Sequence, residues 1–317
     1  MEQFVKNQIL SYNNKKYNIK DFDKNKQGLF LVKIKNNKLE KYTDDFNYLY
    51  YLGRSKRVVK ILEMLLLEYT ITDTVLLINL HDGYNWKYDL PVFNFGVPDG
   101  KPGLIFLNFD ILEFTIKKDT IKNYDEIKKI CNKYEPQEII NDVYFKGGDS
   151  SIKRSKIREK LSTEKLPIHV IANKDSSEEI YMIKNHKYVL DLAGVKPWSI
   201  RFKFLILMSR VIFRISFYNP EIGETSYWKQ YYDYILNDKE DYVHLKYELN
   251  YDKKIDEKLY KSVKIDILKI YNYLEKNPKL YDKIVENLNK KTEKINIKSA
   301  LKYLHCLIES YTKNLLL

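Results

Sequence analysis

The chain has 317 residues, an apolar fraction of 44% and a formal net charge of +12. That length and apolar content allow two domains with cores of ordinary size, and exclude a globally disordered chain. The two cysteines, Cys131 and Cys306, lie far apart with no CxxC partner, which argues against a disulfide framework or a zinc site built from cysteines. The positive balance favours an anionic partner: nucleic acid, an acidic membrane surface or a phosphorylated small molecule. Lysine dispersed among Asn, Ile and Tyr also fits an AT-rich bacterial or viral genome, so the 28 tyrosines read mostly as drift. The opening Met1-Glu2-Gln3-Phe4-Val5-Lys6 lacks a signal peptide's apolar core. The most apolar run, residues 204–213, is interrupted by Arg210 and is too short to span a bilayer. The expectation is a soluble cytoplasmic protein, with peripheral membrane contact left open.

In chain order, residues 1–50 read as short strands and turns. Residues 29–34 and 39–42 flank Asn36-Asn37, a hairpin signal. Residues 54–69 place Val58, Ile61, Leu62, Leu65 and Leu66 at helical spacing. The unbroken apolar run at 74–80 suits a strand buried on both faces, as in a parallel sheet, and it ends at His81-Asp82-Gly83. Two short strands follow, at 91–96 and 104–107, and then a helix near 119–134. The second half opens on a strand ending at Phe145, with a helix near 151–161. Strands are expected at 168–172, 187–192, 211–215 and 242–245, with a helix from about 197 to 209. From about 252 the pattern is helical, punctuated by Asn277-Pro278. Alternating strands and helices in both halves predict an α/β architecture with two sheets. The boundary is placed near Glu135-Pro136, giving a first domain at 1–136 and a second domain at 137–317. The last helices could pack back on the first domain.

Three stretches carry possible chemistry. In residues 144–154 a strand runs into Gly147-Gly148, then Ser150 and Ser151, then a basic segment. A strand that turns sharply into a helix start presents free N–H groups, and with nearby cations these favour a phosphate. An ordinary turn and helix cap explains the same residues. Residues 194–201 repeat the design: strand, Gly194, then Ser199 and Arg201 at a helix start, where an arginine can make a bidentate contact to an anion. Asp82 follows the end of a buried strand, where open α/β sheets place ligands, and a carboxylate there can act as a general base. It also reads as a plain Asp-Gly turn. His81 reads as structural. Neither GxxxxGK[ST] nor GxGxxG is present, and no HExxH, calcium-loop or paired-carboxylate pattern gives a metal an anchor.

Together these stretches resemble glycosyltransferase family 90, which includes protein O-glucosyltransferases, capsule-associated xylosyltransferases and lipopolysaccharide-modifying enzymes. The resemblance rests on Asp82 followed by Pro91-Val92-Phe93-Asn94-Phe95, and on Phe145-Lys146-Gly147-Gly148-Asp149-Ser150-Ser151 leading to Arg154. It continues with Lys187-Tyr188 and Gly194 followed by Ser199-Ile200-Arg201-Phe202-Lys203, and with the aromatic region from Tyr227-Trp228 to Tyr242-Val243-His244. It spans roughly residues 75–250. Lys146 and Asp149 stand where the family has arginines. Lysine neutralises phosphate only as a point charge, and Asp149 leaves Lys153, Arg154 or Arg158 to supply the missing charge.

The resemblance implies a GT-B-like fold: two Rossmann-like domains facing a central cleft, with a helical C-terminal region. It implies an inverting, metal-independent glycosyltransferase that uses a nucleotide-sugar donor such as UDP-glucose or UDP-xylose. The acceptor would be a hydroxyl on a glycan or protein. Asp82 would be the catalytic base. Lys146, Gly147, Ser150, Ser151, Arg154, Lys187, Tyr188, Gly194, Ser199, Arg201, Glu224 and His244 would bind the donor. No cofactor beyond that substrate and no nucleic-acid partner is expected. A basic nucleic-acid-binding protein and a non-catalytic nucleotide-sugar binder are the alternatives.

Overall fold

Asn36 and Asn37 both take left-handed backbone angles, φ 50° and 58°, the conformation that closes a two-residue hairpin and that asparagine tolerates better than most residues. They join strands β1 (Leu29–Lys35) and β2 (Lys38–Tyr42), as the sequence leads one to expect. The computed structural model describes residues 1–12, 15–18, 20, 22, 29–42, 49–81, 90–117, 120–147, 152–171, 180–192, 201–219, 224–225, 227–248 and 257–316. Elements are numbered in chain order. The chain groups into two units, one of Met1–Glu113, Trp228–Ile235 and Ile295–Leu317, the other of Phe114–Tyr227 and Leu236–Lys294.

The first unit contains helix α1 (Glu2–Leu10), the β1–β2 hairpin, helix α2 (Leu49–Glu68), strand β3 (Thr74–Asn79), the two-residue strands β4 (Phe93–Asn94), β5 (Val97–Pro98) and β6 (Leu104–Ile105), the two-residue strand β14 (Trp228–Lys229) and helix α8 (Ile297–Leu315). Its sheet runs β2-β1-β3-β4-β6. Every residue of β3 is buried, as its apolar run demands. However, β3 pairs antiparallel with β1 and parallel only with β4, so this sheet is mixed. Helix α1 replaces the expected strand and turn: it buries Val5, Gln8 and Ile9. The Gln8 amide donates to the Tyr303 hydroxyl at 3.0 Å and accepts from the Ile105 N–H at 2.7 Å, which offsets the cost of burying it.

The second unit begins with a hairpin, β7 (Phe114–Lys117) and β8 (Thr120–Lys122), where the sequence suggested the start of a helix. That helix, α3 (Tyr124–Lys133), begins later, at an Asn123–Glu126 capping box. Then come strand β9 (Ile140–Lys146), helix α4 (Ile152–Ser162), strands β10 (Ile168–Ile171) and β11 (His186–Leu192), helix α5 (Arg201–Leu205) and strands β12 (Val211–Asn219), β13 (Glu224–Thr225) and β15 (Val243–Glu248). Helices α6 (Glu257–Lys276) and α7 (Pro278–Thr292) complete it. The strands β10, β9, β11, β12 and β15 form a five-stranded parallel array in that order, and β13 adds antiparallel to β12.

Alternation sorts the side chains of this array. Val143, Phe145, Tyr188, Leu190, Leu192, Val211, Phe213 and Ile215 join one buried cluster with Ile157 of α4, Val263 and Ile267 of α6 and Ile284 of α7. The intervening residues, among them Asp142, Tyr144, Asp191, Arg214 and His244, belong to the other face. The described residues therefore form a mixed α/β protein with two larger sheets, of five and six strands, and a helical C-terminal region. Among the described residues, no helix is long and apolar enough to cross a membrane.

Candidate functional site

A parallel sheet lines up the carboxyl ends of its strands, and ligands of open α/β sheets bind there. At that end of the second unit, β9 gives way to Gly147, whose N–H donates to the Ile171 carbonyl at the end of β10 at 3.1 Å. A Cβ built on Gly147 would stand 2.3 Å from Nη2 and 2.8 Å from Nη1 of Arg201. The glycine is thus the space into which the Arg201 guanidinium fits. That guanidinium carbon lies 4.4 Å from the Phe145 ring centroid, a cation–π contact at the end of β9.

Two more arginines reach the same region. Buried Arg158, from α4, sits 5.1 Å from the Phe145 ring and donates to the Leu192 carbonyl at 3.2 Å. Buried Arg214, from β12, lies 3.8 Å from the Phe202 ring and 4.6 Å from the Tyr227 ring. Asp191 is the register partner of Arg214 across β11 and β12, with its carboxylate 3.5 Å from the Arg214 Nε. Burial pushes the Asp191 carboxyl above its usual range, against the pull of Arg214, Arg201 and Arg158. Burial likewise lowers Arg201 from the usual guanidinium value, while Asp191 and Tyr144 raise it. Among the described residues, then, three guanidiniums act electrostatically on one carboxylate, so these four groups carry more positive than negative charge. Such a cluster favours an anion, and planar guanidiniums suit the oxygens of phosphate.

The chain matches no protein-family model. No curated protein matches it either.

Of the residues singled out in the sequence, Gly147 and Arg201 are brought into contact at this end of the sheet, and Lys146, partly buried, precedes them on β9. His244, on β15, is the register partner of Arg214. Its Nε2 pairs with the Ser216 hydroxyl at 2.7 Å, its N–H donates to Asp238 at 2.7 Å, and its ring centroid is 4.8 Å from that of Tyr227. Lys187 and Tyr188 lie at the opposite end of β11. Both bond Glu275 of α6 at 2.6 Å, so their visible role is to fix α6 to the sheet. Asp82, Ser150, Ser151, Gly194 and Ser199 lie outside the described residues, as do the side chains of Arg154 and Glu224.

The residue before Asp82 is anchored. His81 Nδ1 pairs with the Tyr51 hydroxyl at 2.7 Å, its N–H donates to Asn79 at 2.9 Å, and Arg54 donates to the Leu80 carbonyl at 2.6 Å. Sequence reasoning missed Asp191 and Arg214. The available signal was a charge within each of two apolar stretches, Val189-Leu190-Asp191-Leu192 and Val211-Ile212-Phe213-Arg214-Ile215, because a buried charge needs a partner and these two are partners. It also missed a cluster of Asp142, His169 and His186 at the other end of the sheet.

Proposed function

We propose that the arginine cluster binds the diphosphate of a nucleotide-sugar donor, and that the chain is an inverting glycosyltransferase of the GT-B type resembling family 90. The observation that carries this reading is the meeting of Gly147 and Arg201. These residues come from the two stretches whose resemblance to that family assigns them to the donor phosphates, and they lie more than fifty residues apart in the chain. Arg158, one of the residues expected to supply the charge missing at Asp149, adds to this cluster, and so does Arg214, which the sequence reading did not single out. Cations held at this position stabilise the negative charge that develops on the departing nucleoside diphosphate. A single displacement then inverts the anomeric carbon. In this reading Asp82 removes the proton of the acceptor hydroxyl as that oxygen attacks, and the proton stays on the carboxylate until solvent takes it.

The deciding experiment is calorimetric titration of the protein with UDP, GDP and dTDP, repeated on Arg201→Ala. One nucleotide should bind with a stoichiometry of one. The substitution should weaken it by about 10–100-fold, the worth of a charge-assisted hydrogen-bond pair. Unchanged affinity in Arg201→Ala would remove the cluster from the donor site. Binding that is lost in Arg201→Ala, with no sugar transferred by the unaltered protein to any hydroxyl acceptor, would favour a nucleotide-sugar binder without catalysis.

A further inference from the structure

The opposite end of the same parallel sheet holds a second polar cluster. Asp142 is the third residue of β9, His169 the second of β10 and His186 the first of β11, and these three strands are adjacent. The Asp142 carboxylate is fully buried and touches both rings. Its Oδ1 is 2.8 Å from Nδ1 of His186, and its Oδ2 is 3.0 Å from Nδ1 of His169. One ligand atom from each of the three residues lies within 4.8 Å of the other two.

We propose that Asp142, His169 and His186 bind a divalent transition-metal ion, with Zn2+ as the ion their chemistry suits best. Two imidazole nitrogens and one carboxylate oxygen are a donor set that zinc accepts, with bonds of about 2.0–2.2 Å. Tetrahedral geometry at those bond lengths separates ligand atoms by about 3.3–3.5 Å. The three residues already converge on that scale, so rotations about their χ angles bring them to it. Magnesium and calcium prefer all-oxygen shells and are poorly served by two imidazoles.

Three further features favour a built site over a chance pairing. Alternation on β11 would place His186 on the face of Tyr188 and Leu190, yet its ring stacks on Tyr144 of the other face, with centroids 3.7 Å apart and planes at 4°. The strand pairing is irregular at this point: Ile140 to Val143 on β9 matches His186 to Tyr188 on β11, three steps against two. Irregularities of this kind re-aim side chains and cluster near functional sites. The Tyr144 ring then fixes the His186 plane, as supporting groups do around metal ligands. Finally, His186 and Asp142 are buried while the His169 side chain is 42% exposed. An ion can therefore enter past His169 and keep a water as its fourth ligand.

The site is separate from the arginine cluster. Asp142 and Gly147 are five residues apart along β9, about 16 Å of extended strand. A metal here would clip three adjacent strands at their amino ends, so its main effect would be on stability.

The test uses the 317-residue chain stripped with a chelator and titrated with ZnCl2 by calorimetry, alongside His169→Ala, His186→Gln and, as a control, His305→Ala. The expected result is one Zn2+ per chain, a rise in Tm on binding, and affinity at least tenfold weaker in His169→Ala but unchanged in His305→Ala. Co2+ bound in place of Zn2+ should give the visible absorption of a four-coordinate nitrogen–oxygen site, lost in both cluster variants. His169→Ala sits at a half-exposed position and folds even if His186→Gln does not. Zn2+ affinity unchanged in His169→Ala, or no binding by the stripped wild type, would reduce the cluster to a hydrogen-bonded triad. UDP titration of His169→Ala, expected to match wild type, keeps the outcome independent of the arginine site.

Discussion

Gly147 has two possible reasons to be glycine, a turn or a close approach, and the position of Arg201 decides for the second. A methyl group there would overlap the far end of a flexible side chain, so the fold can yield by moving the guanidinium. Gly147→Ala should therefore leave thermal stability within about 1 kcal/mol, since the group that must shift is the end of one flexible side chain, but weaken UDP about tenfold by displacing Arg201 from the Phe145 face. Calorimetry on the folded variant checks it, and full affinity would show that Arg201 does not need its present place. Glu275 tests the other end of β11. Burial raises its carboxyl, but hydrogen bonds from Lys187, Tyr188 and Asn141 outweigh that and hold it below the usual value of about 4.5. With the folded value below the unfolded one, the ionised carboxylate stabilises the protein above that pH, and the gain fades as pH falls through the folded value. Glu275→Gln should lower stability at pH 7 by about 1–3 kcal/mol. The gap from wild type should narrow between pH 5 and pH 3 in urea melts; a constant gap would remove the carboxylate's charge from the explanation. Arg201 and Gly147 were legible in the sequence because helix starts and glycine turns have local signatures. Asp191 with Arg214, and Asp142 with His169 and His186, were not, because each set is assembled from separate strands whose register no local pattern encodes.

At the scale of elements, the largely apolar runs at 143–145, 168–172, 187–192 and 211–215, with 242–245 after them, marked the parallel strands well, since strands buried on both faces need little alternation. The α1 helix left no such mark. Only three of its residues are buried, and one is Gln8, whose partner Tyr303 lies 295 residues away. That partner stands on α8, which also sends the Tyr311 hydroxyl to the Val75 carbonyl at 2.8 Å. Helix α8 therefore closes the first unit's core, and its start is held by a capping box: Asn296 accepts from the Ser299 N–H at 2.8 Å and the Ser299 hydroxyl reaches the Asn296 N–H. Asn296→Ala removes one half of that box and should cost about 1 kcal/mol of stability, read as a lower urea midpoint with an unchanged slope. A loss within error would mean that α8 is held by its buried face alone.

For the whole molecule, the net charge of +12 is what a nucleic-acid binder and a nucleotide-sugar enzyme have in common, and salt separates them. An extended polyanion gains affinity by releasing condensed counterions, and contact with six to ten phosphates loses about 10³–10⁵ in affinity between 50 and 200 mM salt. A nucleoside diphosphate carries two phosphate groups and has no condensed layer to release. The recognition proposed for Arg158, Arg201 and Arg214 would rest on part-buried or buried guanidiniums, which salt screens weakly. UDP affinity should therefore fall by about tenfold or less over that range, and oligonucleotide binding, if it occurs at 50 mM, should be gone at 200 mM. Parallel titrations of UDP by calorimetry and of a labelled 20-mer by fluorescence anisotropy make the comparison. The Arg201→Ala variant sharpens it, because losing one of many cations hardly alters a diffuse polyanion contact, whereas losing one of three removes much of a local one. A 20-mer that binds tightly at 200 mM and competes with UDP would assign the cluster to nucleic acid.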